Sequence, residues 1–165
     1  MTALMIEDIK QFTSKLFVGE AFDHFLVREA RIVTYNSFTI DGRIRPGYYS
    51  AEEMEEQQIG ELSAWAQVKP LCFSLIKGKK LPGSFHIDLQ LPPAGTAHFL
   101  SARNLPYQPE TVKGLNLGIR YEEGKLMCVT GTSVSFFTMD KALDGEWDMA
   151  VRGFLKKHEI VFEEA

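Results

Sequence analysis

The sequence predicts an α+β fold: a single domain in which about four to five helices pack on a mostly antiparallel sheet built from hairpins. Segments in which apolar and polar residues alternate, as in half-buried strands, occur as neighbours joined by turn residues. Helical segments stand between these groups instead of alternating one by one with strands, as they would in a doubly wound sheet. No repeat, linker or break in composition divides the chain, so we expect the domain to span residues 1–165.

The clearest signal lies between Leu115 and Met139. From Leu115 to Glu122 apolar and polar residues alternate, which is the period of a strand with one buried and one wet face. Glu123-Gly124 then supplies a turn, because glycine accepts a positive φ without steric cost. The return segment is rich in β-branched and aromatic residues. The sequence therefore predicts a long β-hairpin at the centre of the fold.

The first third of the chain predicts a helix followed by a hairpin. An apolar stripe runs from Ile6 to Phe17 at helical spacing. The segment 22–26 either extends this helix or begins a strand. β-Branched residues after Val27 favour a strand, and its hairpin turn falls either at Asn36-Ser37 or at Asp41-Gly42.

Two further helices are expected in the middle of the chain. Ser50 and Glu53 form a capping box, which indicates a helix start, and Trp65 indicates that the distal half packs on the body. Pro70 then opens a second, short helix, since its missing N–H costs nothing at the first helical position. This helix is apolar around much of its circumference, so we expect it to be buried and to end at Gly78.

The last elements follow the same logic. Residues 85–91 alternate as a strand, and residues 97–100 indicate a short helix. Asp140 or Asp144 caps a final helix with an apolar stripe and a basic C-terminus. Residues 160–162 form a short strand at the edge of the sheet.

Composition narrows the function classes. Hydrophobic residues make up 45% of the chain and charged residues 24%, values ordinary for a soluble globular protein. The formal net charge of −4 argues against nucleic acid as a general partner. Two cysteines make no disulfide framework, the first residues do not resemble a secretory leader, and no apolar run is long enough to span a bilayer. We therefore expect a cytoplasmic protein without a membrane segment.

Known chemical motifs do not fit the sequence. Gly78-Lys79 lacks the earlier glycine and the following Ser or Thr of a phosphate loop, and no G-x-G-x-x-G is present. Residues 131–135 lack the second glycine of a nucleophile elbow. His158-Glu159 begins like a zincin helix, but Phe162 stands where the second histidine is needed. We predict no cofactor and no metal site.

Two sets of residues remain as site candidates. Asp23, His24, His86 and Asp88 are the polar groups that would form a catalytic pocket if at least three of them converged. Lys69, Lys77, Lys79 and Lys80 fall in a window without acids, and they predict a cationic loop for a phosphate, a nucleic-acid strand or an acidic partner.

Three functional hypotheses follow. Without a catalytic constellation, and with twelve phenylalanines, the chain is best interpreted as a non-enzymatic binding or interaction module. This hypothesis predicts an exposed apolar patch of several hundred Å², or a homo-oligomer or protein partner that covers it. The alternatives are a small-molecule enzyme and a protein that contacts phosphate or nucleic acid through the lysine window.

The order and spacing of five segments resemble a family of small bacterial proteins recorded only as a domain of unknown function. The resemblance covers nearly the whole chain, which supports one domain, and it implies no activity, cofactor or catalytic residue. The segments are Phe22–Leu26 (FDHFL), Thr39–Gly42 (TIDG), Leu75–Lys79 (LIKGK), Thr130–Ser133 (TGTS) and Phe154–His158 (FLKKH).

Overall fold

A computed structural model describes residues 1–78 and 80–165, and in this part of the chain eight strands and five helices form. A short 3-10 turn, Pro109–Thr111, precedes the sixth strand. The elements in chain order are β1 (Ala3–Ile6), α1 (Ile9–Phe17), β2 (Leu26–Val33), β3 (Ser37–Asp41), α2 (Ala51–Glu56), β4 (Ser63–Ala64), α3 (Trp65–Ile76), β5 (Ser84–Gln90), α4 (Pro93–Ala102), β6 (Val112–Glu122), β7 (Lys125–Val134), α5 (Ala142–Lys157) and β8 (Phe162–Glu164).

The strands form one sheet in the order β3-β2-β5-β6-β7-β1-β8, and β4 pairs with the first residues of β2. Every pairing between the described strands is antiparallel. The predicted α+β class, with helices packed on a sheet that contains hairpins, is confirmed.

The central hairpin forms as predicted. β6 and β7 pair from Glu122↔Lys125 back to Val112↔Val134, with one irregularity near Gly114. Glu123 and Gly124 both have positive φ, at 51° and 74°, which is the geometry of a tight two-residue turn whose twist matches that of the strands. The return strand ends at Val134 and not at Met139.

The two faces of the sheet differ in chemistry and in covering. Alternate residues of β5 and β6, among them Ile87, Leu117 and Ile119, are fully buried under α1, α3, α4 and α5. Burial of this face, at roughly 25 cal/mol per Å² of apolar surface, is the main contribution to the stability of the fold. The opposite face carries His86, Asp88 and Gln90 of β5, beside alternate residues of β6, and no described helix packs against it as those four do on the other.

Hydrogen bonds that involve helix side chains hold the helices in place on the covered face. The buried Trp65 indole donates to the Leu16 carbonyl at 3.1 Å, and the Trp147 indole donates to the Asn116 carbonyl at 2.9 Å. The Thr130 and Thr132 hydroxyls of β7 donate to two carboxylates of α5, those of Asp148 and Asp144 respectively. The last three of these bonds attach residues 144–148, about one turn of α5, to the central hairpin.

The N-terminal region departs from the expected boundaries. The helix begins at Ile9, because Asp8 is its N-cap and accepts from the Gln11 amide; the residues before it form β1. Residues 22–25 are a turn, and the hairpin turn of β2 and β3 is at residues 34–36, at the Asn36 site. Asp41-Gly42 is not the hairpin turn, but glycine is required at position 42. A Cβ there would lie 1.9 Å from the Val27 carbonyl oxygen, so only glycine allows the two backbone segments to approach this closely.

The middle helices correct three predictions. The capping box at Ser50 is present, but α2 ends at Glu56 and buries none of its residues. Pro70 does not open a helix: it lies inside α3, which begins at Trp65. The expectation that residues 71–76 are buried is wrong for much of that segment, since Leu71 is 59% and Phe73 is 38% exposed. The residues of α3 that are buried in the core are Trp65, Val68 and Cys72. The helix therefore begins five residues before Pro70, where the proline had predicted its start.

The final helix follows the prediction, but the terminal strand expected at residues 160–162 begins only at Phe162. The Asp140 carboxylate accepts from the Ala142 amide at the start of α5, and Trp147, Val151 and Leu155 form its buried stripe. The terminal strand is β8, which lies at the sheet edge beside β1. Among the described residues no helix combines the length and hydropathy needed to cross a membrane.

Replacing Pro70 by alanine is expected to raise the free energy of unfolding by about 2 kcal/mol, because an interior proline removes a helical hydrogen bond and crowds the preceding turn. Urea unfolding measures the change. Pro93→Ala is the matched control: Pro93 is at the first position of α4, where no hydrogen bond is lost. Equal effects of the two substitutions would contradict this assignment of Pro70.

Candidate functional site

The open face of the sheet contains a polar cavity of about 520 Å³ over β2, β5 and β6. Its walls come from the ends of β3 and β7 and from the arm of residues 43–62 that follows β3. The lining residues are Arg28, Glu29, Asp41, Arg43, Glu61, Leu62, Asp88, Gln90, Lys113, Gly114, Asn116 and Ser133.

Two amide side chains on neighbouring strands, Gln90 and Asn116, lie opposite each other in register, and both line the cavity. Both lean over Gly114: a Cβ at this position would lie 2.8 Å from Asn116 Oδ1 and 3.1 Å from Gln90 Oε1. Glycine at 114 therefore makes the space that the two amides occupy. The backbone beneath is fixed from the other face, because the Asn116 carbonyl accepts the Trp147 indole N–H.

The Asn116 side chain carries a buried acceptor without a donor. Its Oδ1 atom is shielded from solvent and has no hydrogen-bond partner among the described residues. An unsatisfied buried polar atom costs about 1–3 kcal/mol, so native proteins seldom keep one without a reason. The only other such side-chain atom in the described residues, Thr34 Oγ1, belongs to the β2–β3 turn and does not line the cavity.

Three carboxylates lie side by side across the open face. Asp41, Glu29 and Asp88 are direct cross-strand neighbours on β3, β2 and β5. Arg43 donates to both oxygens of Asp41 at 3.1 Å, and hydrogen bonds from the Arg43 side chain and backbone lower the pKa of this carboxyl group. Within residues 1–78 and 80–165, Glu29 and Asp88 make no ion pair. Facing like charges are unfavourable, so these two carboxylates would be stabilised by donors from a ligand.

A second row of in-register side chains, Arg31, His86 and Arg120, lies two residues further along the same strands. The His86 ring contacts Glu122 at 2.5 Å. Between the two rows, Gly118 leaves space into which both Asp88 and Arg120 lean: a Cβ there would lie 3.4 Å from Asp88 Oδ1 and 3.9 Å from Arg120 Nε. The open face is thus divided into an acidic and a basic band.

The arm forms one wall through its own backbone pairing. The Ile44 amide donates to the Glu61 carbonyl at 2.8 Å, and the Ser63 amide donates to the Gly42 carbonyl at 2.8 Å. This short ribbon positions Arg43 and Glu61 beside the sheet. A second, more apolar hollow of about 790 Å³ lies between residues 43–47 and α2 and shares these two side chains with the cavity.

The four acid–base candidates are not brought together. Asp23 lies on the covered side and accepts from Lys69 Nζ at 2.7 Å, and the His24 ring packs on Phe154 of α5, with the ring centroids 5.4 Å apart. His86 and Asp88 lie on the open face. Of the four, Asp88 alone lines the cavity.

The lysines predicted to form one cationic loop do not share one environment. Lys69 is half-buried in α3, where its ammonium donates to Asp23 and to the Gly19 carbonyl, at 2.8 Å. Lys77 is the C-cap of α3 and is exposed, as is Lys80. Lys79 lies outside the described residues. The cationic loop predicted from four lysines therefore does not include Lys69.

The two cysteines are buried, and the potential metal ligands among the described residues are dispersed. Burial raises the pKa of the Cys72 thiol to about 11 and raises the pKa of Cys128 further, so both stay protonated at neutral pH. No group of three or more His, Cys, Asp or Glu side chains in the described residues is arranged to hold a metal ion. The exposed large apolar side chains, among them Tyr35, Leu81 and Phe137, belong to separate segments of the chain.

Most of the cavity residues were not singled out from the sequence. The available signal was the alternation of β6, which placed Asn116 and Gly118 on the same face as Arg120. It did not show that Gln90 and Glu29 lie beside them, because the neighbours of each strand depend on the register of the whole sheet.

His24 and His158 make stability sensitive to mild acid. Desolvation lowers the pKa of both; for His24 the nearby charge of His158 adds to this, against the opposing effect of Asp23, and for His158 Lys157 and Lys15 add to it. The unfolded chain therefore binds protons first as pH falls, so stability should decrease below about pH 6.5, before most carboxylates titrate. Urea midpoints between pH 7.5 and 5 measure this, and His24→Asn should flatten the dependence. An unchanged slope in this variant would contradict it.

Gly114→Ala should displace the two cavity amides while changing the free energy of unfolding by less than about 1 kcal/mol, because the atoms that a Cβ meets are ends of flexible side chains. The side-chain NH₂ resonances of Asn116 and Gln90 would shift in an NMR spectrum. Gly131→Ala is the control, since a Cβ there meets no atom within 4 Å. Equal shifts in both variants would argue against the packing described for Gly114.

One of three comparisons with known proteins gives a match, over most of the chain. A model of DUF5721, described as a family of unknown function, matches residues 15–163. The search of curated proteins found no match, and the search of solved structures found none either. The matched range contains all five segments on which the resemblance to a domain of unknown function rests, and that resemblance is confirmed. The chain belongs to DUF5721, a family of unknown function.

Proposed function

We propose that the chain is a non-enzymatic binding module that holds a small polar ligand in the cavity on the open face. The observation that carries the proposal is the buried, unpartnered Oδ1 of Asn116, a residue that lines that cavity. If the Asn116 amide turns toward the cavity, a ligand hydroxyl or ammonium group that donates to Oδ1 would remove the desolvation penalty of this atom. Binding would then recover a cost that the free protein bears.

The lining defines the chemistry of the ligand. Its charged groups are four carboxylates and three cationic side chains, and Gln90, Asn116 and Ser133 add neutral donors and acceptors. The volume of about 520 Å³ is within the usual range of small-molecule sites, roughly 300–1,000 Å³. Such sites are commonly apolar, whereas the lining here holds no aromatic side chain. A compact ligand with several hydroxyl or amino groups, such as a polyol, amino sugar or amino acid, fits this set best.

The alternatives have less support. The catalytic hypothesis required three of Asp23, His24, His86 and Asp88 in one pocket, and the cavity lining includes Asp88 alone. Contact with phosphate or nucleic acid through Lys77 and Lys80 would use exposed lysines outside the cavity, and the formal net charge of −4 opposes a polyanion.

Asn116→Leu should raise the free energy of unfolding by about 1 kcal/mol, because it replaces an unsatisfied buried amide by an apolar group of similar size. The same substitution should abolish binding. Two-dimensional NMR titration with a panel of polyols, amino sugars and amino acids measures binding, with shifts expected at Gln90, Asn116 and Ser133 in the unsubstituted protein.

Thr34→Val is the matched control. It removes the other buried unsatisfied side-chain atom among the described residues, outside the cavity, so it should stabilise the fold and leave binding unchanged. A destabilised Asn116→Leu variant, or ligand-induced shifts confined to the covered face, would contradict the proposed site.

A further inference from the structure

Along the outer edge of β3, backbone N–H and C=O groups form no hydrogen bond with another described strand. The Gly42 amide donates to the Arg28 carbonyl and the Thr34 amide donates to the Asn36 carbonyl, so residues 36 and 42 face β2. Backbone groups alternate in direction along an antiparallel strand. The N–H and C=O of Ser37, Thr39 and Asp41 therefore point away from the sheet, and they have no backbone partner in the described part of the chain.

β3 has few of the devices that usually protect a strand edge: its one charged residue is Asp41, at the end of the strand. Residues 37–41 (SFTID) contain no proline, lysine or arginine, and their pairing with β2 is regular from Ser37 to Asp41. The other edge of the sheet is different: β8 has three residues, two of which are glutamates. A regular edge strand with a single charge at its end can still serve as a template for another strand.

The side chains of β3 are complementary to those of the same strand reversed. In an antiparallel pair centred on Thr39, Phe38 lies opposite Ile40 of the partner subunit, and Asp41 lies opposite the partner's Ser37. Phe38 and Ile40 are both half-buried on the helix-covered face, so the pairing would shield two apolar contacts. Neither Asp41 would face a like charge.

We propose that two copies of the chain associate through β3, about a two-fold axis at Thr39, to form one continuous sheet. The three outward-facing residues of each strand would then exchange about six hydrogen bonds, two for each facing pair. A contact of one five-residue strand per copy lies below the roughly 1,200 Å² of a standard interface, so the dimer should be weak and concentration-dependent. The cavities, which include Asp41, would lie on the same side of the continuous sheet on either side of the axis.

Sedimentation velocity from about 1 μM to about 1 mM tests the proposal, a range that spans dissociation constants of weak complexes. The unsubstituted protein should shift from monomer to dimer. Thr39→Pro should stay monomeric over this range, because it removes the outward N–H at the axis while the ladder to β2 uses the neighbouring residues. Thr39→Val retains the N–H and should dimerise like the unsubstituted protein.

Thr39→Lys covers the case in which proline unfolds the strand. It keeps the backbone amide but places two cations opposite each other at the axis, so it should weaken dimerisation at least tenfold at low salt and less at high salt. Circular dichroism checks that each variant is folded. A monomer at every concentration would overturn the proposal and leave the edge to an extended segment of another protein. A dimer that folded Thr39→Lys and Thr39→Pro both retain would overturn it as well.

Discussion

The alternation of β6 is the constraint on which the rest of the structure depends. Leu115, Leu117 and Ile119 are fully buried, while Asn116 and Arg120 point to the other face. A shift of one residue in the pairing of this strand would place every apolar side chain in water, so its register is strongly determined. Because apolar surface is available on one face, the four packed helices gather there, and the opposite face keeps its polar side chains in contact with solvent.

This asymmetry explains how the proposed ligand site could form without an obvious chemical motif. The covered face supplies stability, and Trp147 fixes the backbone of Asn116 from that side. The open face can then hold arrangements that reduce stability, such as neighbouring carboxylates at Glu29 and Asp88 or an unsatisfied amide oxygen. Residues that reduce the stability of the free protein are expected at sites where ligand binding restores the lost free energy. The β3 edge adds a second surface at which polar groups lack a partner within the described chain.

Much of the fold could be predicted from the sequence because alternation and turn chemistry are local. The Glu123-Gly124 turn, the Ser50 capping box and the stripe of α5 all formed where their residues indicated. Features that depend on distant contacts could not be predicted in this way. Pro70 lies inside α3, whose first turn is buried in the core at Trp65 and Val68. The cavity requires the order of β2, β5 and β6, and no local pattern encodes which strands become neighbours.

The central claim is that no described helix covers the open face of the sheet. The solvent accessibility of a cysteine placed on this face tests it most directly. Gly131 lies on β7, and a Cβ there meets no atom within 4 Å, whereas Cys128 on the same strand and Cys72 in α3 are fully buried. In native Gly131→Cys, a maleimide probe should label one thiol at the rate of a small-molecule thiol, and the two native cysteines should react only after unfolding. A cysteine at 131 that is protected as strongly as Cys128 would show that the face is covered and would contradict this description.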